Sequence, residues 1–343
     1  MSSKYLFLLS GFHQEIPFAE LRAVLEVLDP NHKILEKNGR VVIIETEKDC
    51  AREAVLRTAY TKLSTLLISR SPTIEEEIIN SLDIQSFREI LPPKSKIAVR
   101  GISLGSTDVD VPRVEKNLGE VILRNVPAIS VDLKNPEYTI LFIAQENTTY
   151  IGVLVEIKPK KFFYDRVAGR RPFKLPSAMQ PDTARCLVNL SRTKPGGRIL
   201  DPFSGTGGII IEAILLGYET YGVELKKWIA RGSLKNLYHY TPGRGNIVIG
   251  DSRQPPFRKG FDGIVTDPPY GRSTTIPDKS LEELMKKFFE NSRDLLRNGG
   301  RISMAAPTWS NIEDYALDSG YRILEKYTLK IHKSLVRKIM VFT

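Results

Sequence analysis

Apolar runs of strand length alternate with stretches of helical period along most of the chain. In the first 70 residues, strand-like KYLFLLSG precedes PFAELRAVLEVL, whose apolar positions recur at helical spacing. KILEKNGRVVIIETE reads as a hairpin turning at Asn38-Gly39, a pair that tolerates the positive φ of tight turns. Helix-like CAREAVLRTAY and apolar TKLSTLLIS follow, so this segment predicts a small α+β unit with helices on one face of a sheet. The next stretch, residues 71–156, adds helical IEEEIINSL and SFREIL, strand-like KIAVRGIS, helical RVEKNLGEVILRN, and paired strands YTILFIAQ and TYIGVLVEI around Glu146-Asn147.

From residue 179 onward the alternation is that of βαβ units in a mostly parallel, doubly wound sheet. GRILDPF, ETYGVEL, GNIVIGD, GFDGIVTD, GRISMAAP, a pair around YRILEKYTLKIH, and VRKIMVFT are the predicted strands. GIIIEAILLGY, KKWIARGSLKNLYHY, SLEELMKKFFENSRDLL and WSNIEDYALDSG are the predicted helices. Ligands of such sheets bind beyond the carboxyl ends of the strands, so the strand-to-loop junctions are where chemistry is expected.

Composition changes this picture at one place. Residues 157–178 hold seven cations against the single acid Asp165, with Phe162, Phe163, Tyr164 and Phe173 interleaved. Cations that neutralise phosphates and rings that stack on bases make a nucleic-acid surface, with Lys160, Lys161, Arg170, Arg171 and Lys174 as its contacts. A solvated linker pinned by its aromatics accounts for the same residues, and the two readings are compatible.

At 343 residues the chain is too long for one compact core, and two or three domains are expected. With 41% hydrophobic and 26% charged residues and no apolar run of membrane-spanning length, it reads as globular, cytoplasmic and without a membrane partner. Cys50 and Cys186 stand alone and the four histidines are scattered, so neither a disulfide framework nor a metal site is expected. A net charge of +10 favours a polyanionic partner.

The first junction, ILDPFSGTGGIIIEA, sets Gly205, Gly207 and Gly208 between a strand and a helix, where backbone turns sharply and approaches a ligand closely. A triphosphate-binding loop needs a lysine after the glycines, and none follows. A dinucleotide fingerprint needs glycine or alanine where Ile210 stands. A loop for a cofactor without pyrophosphate remains, and S-adenosylmethionine is one, with Asp201 suited to its zwitterionic end. Glu224 ends the next strand, where an acid accepts ribose hydroxyls, and Asp251 ends the third, where it faces an adenine amine beside the Ser252 amide. Each acid taken singly also reads as a helix N-cap.

The fourth junction, TDPPYGRST, ends GFDGIVTD with an acid, two prolines and an aromatic. Proline fixes its own φ and restricts the residue before it, so Asp267-Pro268-Pro269-Tyr270 is a stiff, pre-set turn. A carbonyl with no donor beside it and the Asp267 carboxylate supply two acceptors, and Tyr270 a flat face for stacking. Together they suit a planar group that carries an NH2, such as a nucleobase. A plain strand-terminating turn is the alternative.

Three resemblances follow from these motifs. VEKNLGEVILRNVPAISVDLKNPEYTILFI resembles the THUMP domain, an RNA-binding module, most clearly in VDLKNPEYTI. DPPY matches the signature of nucleic-acid amino-methyltransferases, which covers DNA adenine and RNA guanine enzymes alike. The succession of the THUMP-like region, RRPFKLPSAMQPDTARCLVNLS, DPFSGTGG and TDPPYGRST resembles the archaeal tRNA guanine-N2 methyltransferases that act at guanosine 10. That resemblance implies a Rossmann-like class I α/β methyltransferase domain (179–343), preceded by a ferredoxin-like α+β unit (1–70), a THUMP domain (71–156) and the basic linker (157–178). It implies cofactor contacts at Asp201, Phe203, Ser204, Gly205, Thr206, Gly207, Glu224, Leu225, Asp251 and Ser252, with Pro181 and Thr183 before the first strand. It implies tRNA as partner, modified on the N2 amine of guanosine; a monomer is expected, although the sequence does not decide the oligomeric state.

Rival readings are a DNA or ribosomal RNA amino-methyltransferase, the guanosine 6 enzyme of tRNA, and an RNA-binding factor with a degenerate methyltransferase fold. Cytosine C5 chemistry needs a thiolate nucleophile, usually placed after a proline; Cys50 follows Asp49 and Cys186 follows Arg185.

Overall fold

The computed structural model of the chain describes residues 2–269, 281–332 and 335–343. Its residues group into two compact units. The first takes residues 1–10, 31–55 and 61–158, the second residues 11–30, 56–60 and 159–343.

The first unit is built on eight strands: β1 (Ser3–Leu9), β2 (Lys33–Asn38), β3 (Val41–Thr46), β4 (Thr61–Ser71), β5 (Lys96–Ser103), β6 (Ser130–Val131), β7 (Tyr138–Ala144) and β8 (Thr149–Ile157). They form one sheet in the order β2-β3-β1-β4-β8-β7-β5-β6, and Asn38 pairs with Val41 across the predicted hairpin turn. The boundary expected between residues 70 and 71 falls at the end of β4, which pairs antiparallel with β8. Helices α1 (Ile16–Leu28), α2 (Ala51–Arg57), α3 (Glu75–Asn80), α4 (Ile84–Ile90) and α5 (Val111–Asn125) lie in the same part of the sequence. The Asp110 side chain caps α5 at the Arg113 amide, and its Val114, Leu118 and Ile122 join a core with Ile97, Val99, Ile140 and Phe142.

Helix α1 departs from the expectation that the first 70 residues form one unit, because it belongs to the second. Its Ile16, Ala19 and Ala23 pack in a core with Leu187, Val188 and Leu190 of α6 (Pro181–Leu190). Glu20, fully buried, fixes the docking: it accepts from the Ala59 amide at 2.6 Å, the Tyr60 amide at 2.9 Å and Asn189 Nδ2 at 2.7 Å. An acid on the inner face of an amphipathic helix must find such partners.

After α6 the chain runs β9 (Arg198–Asp201), α7 (Gly208–Leu215), β10 (Glu219–Glu224), α8 (Lys227–Tyr240), β11 (Asn246–Ile249), β12 (Phe261–Thr266), α9 (Leu281–Leu295), β13 (Leu296–Pro307), α10 (Ile312–Asp318), β14 (Ile323–His332) and β15 (Leu335–Phe342). The sheet order is β11-β10-β9-β12-β13-β15-β14, parallel from β11 to β13, with β15 antiparallel to both neighbours. This is a doubly wound α/β architecture, and the order reverses between β9 and β12. Ligands of such sheets bind at that reversal, beyond the carboxyl ends of the strands.

Candidate active site

β9 delivers Asp201 to the reversal point, and the chain turns through Gly205 (φ 48°) and Gly207 (φ 80°) into α7. Both angles lie in the left-handed region that favours glycine. A Cβ on Gly207 would also lie 2.5 Å from Ser233 Oγ. Asp201 is 1% exposed; its Oδ1 accepts from Thr266 Oγ1 at 2.8 Å and from the Phe203 amide at 3.1 Å. Burial pushes its pKa up to about 7; the two hydrogen bonds oppose that, and the charges of Asp267 and Glu224 add to it.

Glu224, at the end of β10, accepts from the Gly205 amide at 3.1 Å and the Lys226 amide at 2.9 Å. Burial raises its pKa, and these amides work in the opposite direction. One glutamate thus ties the glycine loop to the neighbouring strand end. Leu225, beside it, is 46% exposed, and Ser204 and Thr206 are buried within the loop. Asp267 follows β12, with Pro268 buried and Pro269 half-buried behind it; Tyr270 lies outside the described residues. Its Oδ2 stands 3.2 Å from Arg337 Nη2 on β15. Asp201 and Glu224 therefore lie beside one loop, where a cation-bearing ligand is favoured, while Asp267 has Arg337 as its cation.

Asp251 and Ser252 follow β11. The Asp251 carboxylate accepts from the Arg253 amide at 2.9 Å and from Arg253 Nε at 2.9 Å, a local turn that engages both oxygens. Pro181 and Thr183 open α6, both buried, with the Thr183 amide held by Asp182.

Comparisons with known proteins give the family. The RMKL-like methyltransferase domain matches residues 168–339, and the THUMP domain matches residues 74–154. A tRNA (guanine(10)-N2)-dimethyltransferase of Methanothermobacter thermautotrophicus is 32% identical over 97% of both chains. Its namesake in Pyrococcus abyssi is 30% identical over 95% of both. The chain belongs to the tRNA (guanine(10)-N2)-dimethyltransferase family. The rat tRNA (guanine(10)-N2)-methyltransferase is more distant, 23% identical over 83% of this chain and 69% of that one. Among solved structures, TrmN from Thermus thermophilus shares the fold with a TM-score of 0.55, 21% identity and 99% coverage of both chains. A chain described as a methyltransferase complexed with SAH has a TM-score of 0.53, 13% identity, and coverage of 99% and 97%.

In this member of the family the basic segment divides into two kinds of cation. Lys160, Lys161, Arg170 and Lys174 are exposed, and Arg170 stacks 3.8 Å over the Tyr164 ring. Arg171 corrects the expectation of an RNA contact: it is 1% exposed and cannot reach RNA. Its guanidinium donates to Thr206 Oγ1 of the glycine loop at 3.2 Å, to the Met179 carbonyl at 3.0 Å and to the Arg166 carbonyl at 3.0 Å. Gly208 makes room for it, since a Cβ there would lie 2.8 Å from Nη1. Asn236 of α8 braces the same region, donating to the carbonyls of Phe173 and Thr206, each at 3.0 Å. Arg166 and Arg185 converge on Glu212 of α7, each at 2.7 Å.

Sequence reasoning missed Thr266, Asn236, Arg337 and the structural role of Arg171. One signal was present. Glu212 sits inside the apolar run GIIIEAIL, and an acid there requires buried cations.

Proposed function

We propose that the chain methylates the exocyclic N2 amine of guanosine in tRNA, at position 10, giving N2-methylguanosine and then N2,N2-dimethylguanosine, with S-adenosylmethionine as methyl donor. The observation that carries this reading is the juxtaposition, at one sheet edge, of the Gly205–Gly207 loop tied to Glu224 and the Asp267-Pro268-Pro269 turn. The names of the full-length relatives support the substrate.

The residues fit the cofactor. A buried acid whose pKa stands near 7 beside two further carboxylates is relieved by a positive ligand. Asp201 and the loop around Ser204, Gly205, Thr206 and Gly207 would hold its amino-acid end, with Phe203, Pro181 and Thr183 around it. Glu224 would hold the ribose hydroxyls, with Leu225, Asp251 and Ser252 around the adenine. When bound, S-adenosylmethionine supplies an electrophilic methyl group on sulfur.

The chain's own work lies on the amine. Its lone pair is delocalised into the ring, which makes it a poor nucleophile. Asp267 and the Pro268 carbonyl accept its two N–H bonds and orient nitrogen density out of the base plane, an effect of position and electrostatics. The methylated nitrogen is cationic and sheds a proton, for which Asp267 is the nearby acceptor. The THUMP region (71–156) and the exposed cations of 157–178 grip the tRNA, and residues 179–343 carry the chemistry.

Incubation with S-adenosylmethionine and unmodified tRNA, followed by nucleoside analysis, tests the reaction class. Methyl on guanosine N2 is expected; methyl confined to adenosine or cytidine overturns the reading.

A further inference from the structure

We propose that Arg337 reads the O6 edge of the target guanine, as the donor half of a donor–acceptor pair whose acceptor half is Asp267. This inference rests on the reading of the site as a guanine N2-methyltransferase centre.

The strand arrangement brings the two side chains together from positions 70 residues apart. Thr266, the last residue of β12, pairs with Met304 of β13, and Pro307, the last residue of β13, pairs with Arg337 of β15. Because β15 runs antiparallel, a residue near its start lies at the same edge as the carboxyl ends of β12 and β13. Arg337 therefore faces the crevice where the parallel strands end, and its Nη2 lies 3.2 Å from Asp267 Oδ2.

Its burial is informative. Arg337 is only 8% exposed, and a guanidinium so enclosed is retained where it has specific work. Arg337 approaches the carboxylate assigned to the reacting amine.

The chemistry of the base completes the argument. Guanine presents N2–H, N1–H and then the O6 carbonyl along one edge: two donor positions followed by an acceptor. A carboxylate takes the N–H positions, and a guanidinium beside it is the natural donor to O6. The planar fork of arginine can keep one nitrogen on Asp267 while another turns to the base, which a lysine point charge does less well. Arg337 would thus hold Asp267 in place before the base arrives and share it with the base afterwards. That makes Arg337 a specificity-determining residue for the carbonyl at C6.

The test uses tRNA transcripts carrying guanosine or 6-thioguanosine at the modified position. The thio analogue keeps the N2 amine and N1–H and replaces O6 by a much weaker acceptor. For the wild-type chain, kcat/KM is expected to be about 10- to 100-fold higher on guanosine, the size of one hydrogen bond from a charged donor. In R337Q that ratio should fall close to one, while cofactor affinity stays unchanged; R337K should be intermediate. A wild-type ratio near one overturns the proposal without any variant. A ratio in R337Q equal to that of wild type also overturns it, leaving Arg337 as a brace for Asp267. If R337Q does not fold, R337K decides in the same way: loss of part of the ratio supports the proposal and a wild-type ratio overturns it. Failure of the underlying reading is distinct: the wild-type chain would then place no methyl on guanosine N2 of either transcript.

Discussion

Asp201 and Asp267 end neighbouring strands, and their surroundings give the two carboxylates different work. Asp201 is sealed from water, with its pKa near 7 against an ordinary value of 3.8. Between those values the folded chain holds a proton that the unfolded chain has lost. Stability from this group is therefore greatest at the acid end of that window and declines as pH rises towards 7. A cationic ligand favours the ionised form, so binding of S-adenosylmethionine near about pH 6 should release protons. Calorimetry in buffers of different ionisation enthalpy should show that release in wild type and much less of it in D201N. Equal release in both would place the titration elsewhere. Asp267 is partly open to the crevice, its side chain 15% exposed, and is assigned to the base. D267A should abolish methyl transfer and leave S-adenosylmethionine affinity nearly unchanged; an equal loss of cofactor binding would reassign Asp267 to the cofactor side.

At the scale of elements, the linker is a brace for the glycine loop as well as a basic surface. R171A should weaken cofactor binding, because Thr206 and Met179 lose their common donor, yet leave the salt dependence of tRNA binding unchanged. Replacing Lys160, Lys161, Arg170 and Lys174 together by alanine should do the reverse, lowering the salt slope by up to roughly 0.9 per lost phosphate contact. Binding titrations at several salt concentrations separate the two outcomes. The strands, the glycine loop and the acids at the junctions were legible because each is fixed by its immediate neighbours: an apolar run, a turn residue, an acid at a strand end. The different fates of Arg170 and Arg171 were not. The two are identical and adjacent, and only Thr206 and Met179, brought close by folding, make one of them interior. Helix α6 escaped the periodicity reading because its polar face is turned inwards: Asp182, Arg185 and Asn189 recur at helical spacing, and Arg185 meets Glu212 while Asn189 meets Glu20. Arg337 was equally silent, since its meaning depends on a strand that runs against its neighbours.

At the scale of the whole molecule, the chain leaves its N-terminal sheet after β1 to build α1 into the second unit, and returns for β2. Glu20 secures that excursion through Ala59, Tyr60 and Asn189. E20A should leave these donors buried without their acceptor and cost roughly 2–4 kcal/mol, read as a lower denaturant midpoint. An unchanged midpoint would show that apolar packing alone docks the helix. The central claim concerns the whole chain acting on a whole tRNA: a methyl group delivered to N2 of one guanosine. The most direct measurement supplies labelled S-adenosylmethionine to the purified chain with two unmodified tRNA transcripts, one with guanosine and one with adenosine at position 10, and maps the label by nucleoside digestion. The account predicts label in N2-methylated guanosine from the first transcript and none from the second. Equal labelling of both transcripts, or label on any base other than guanosine, would contradict it.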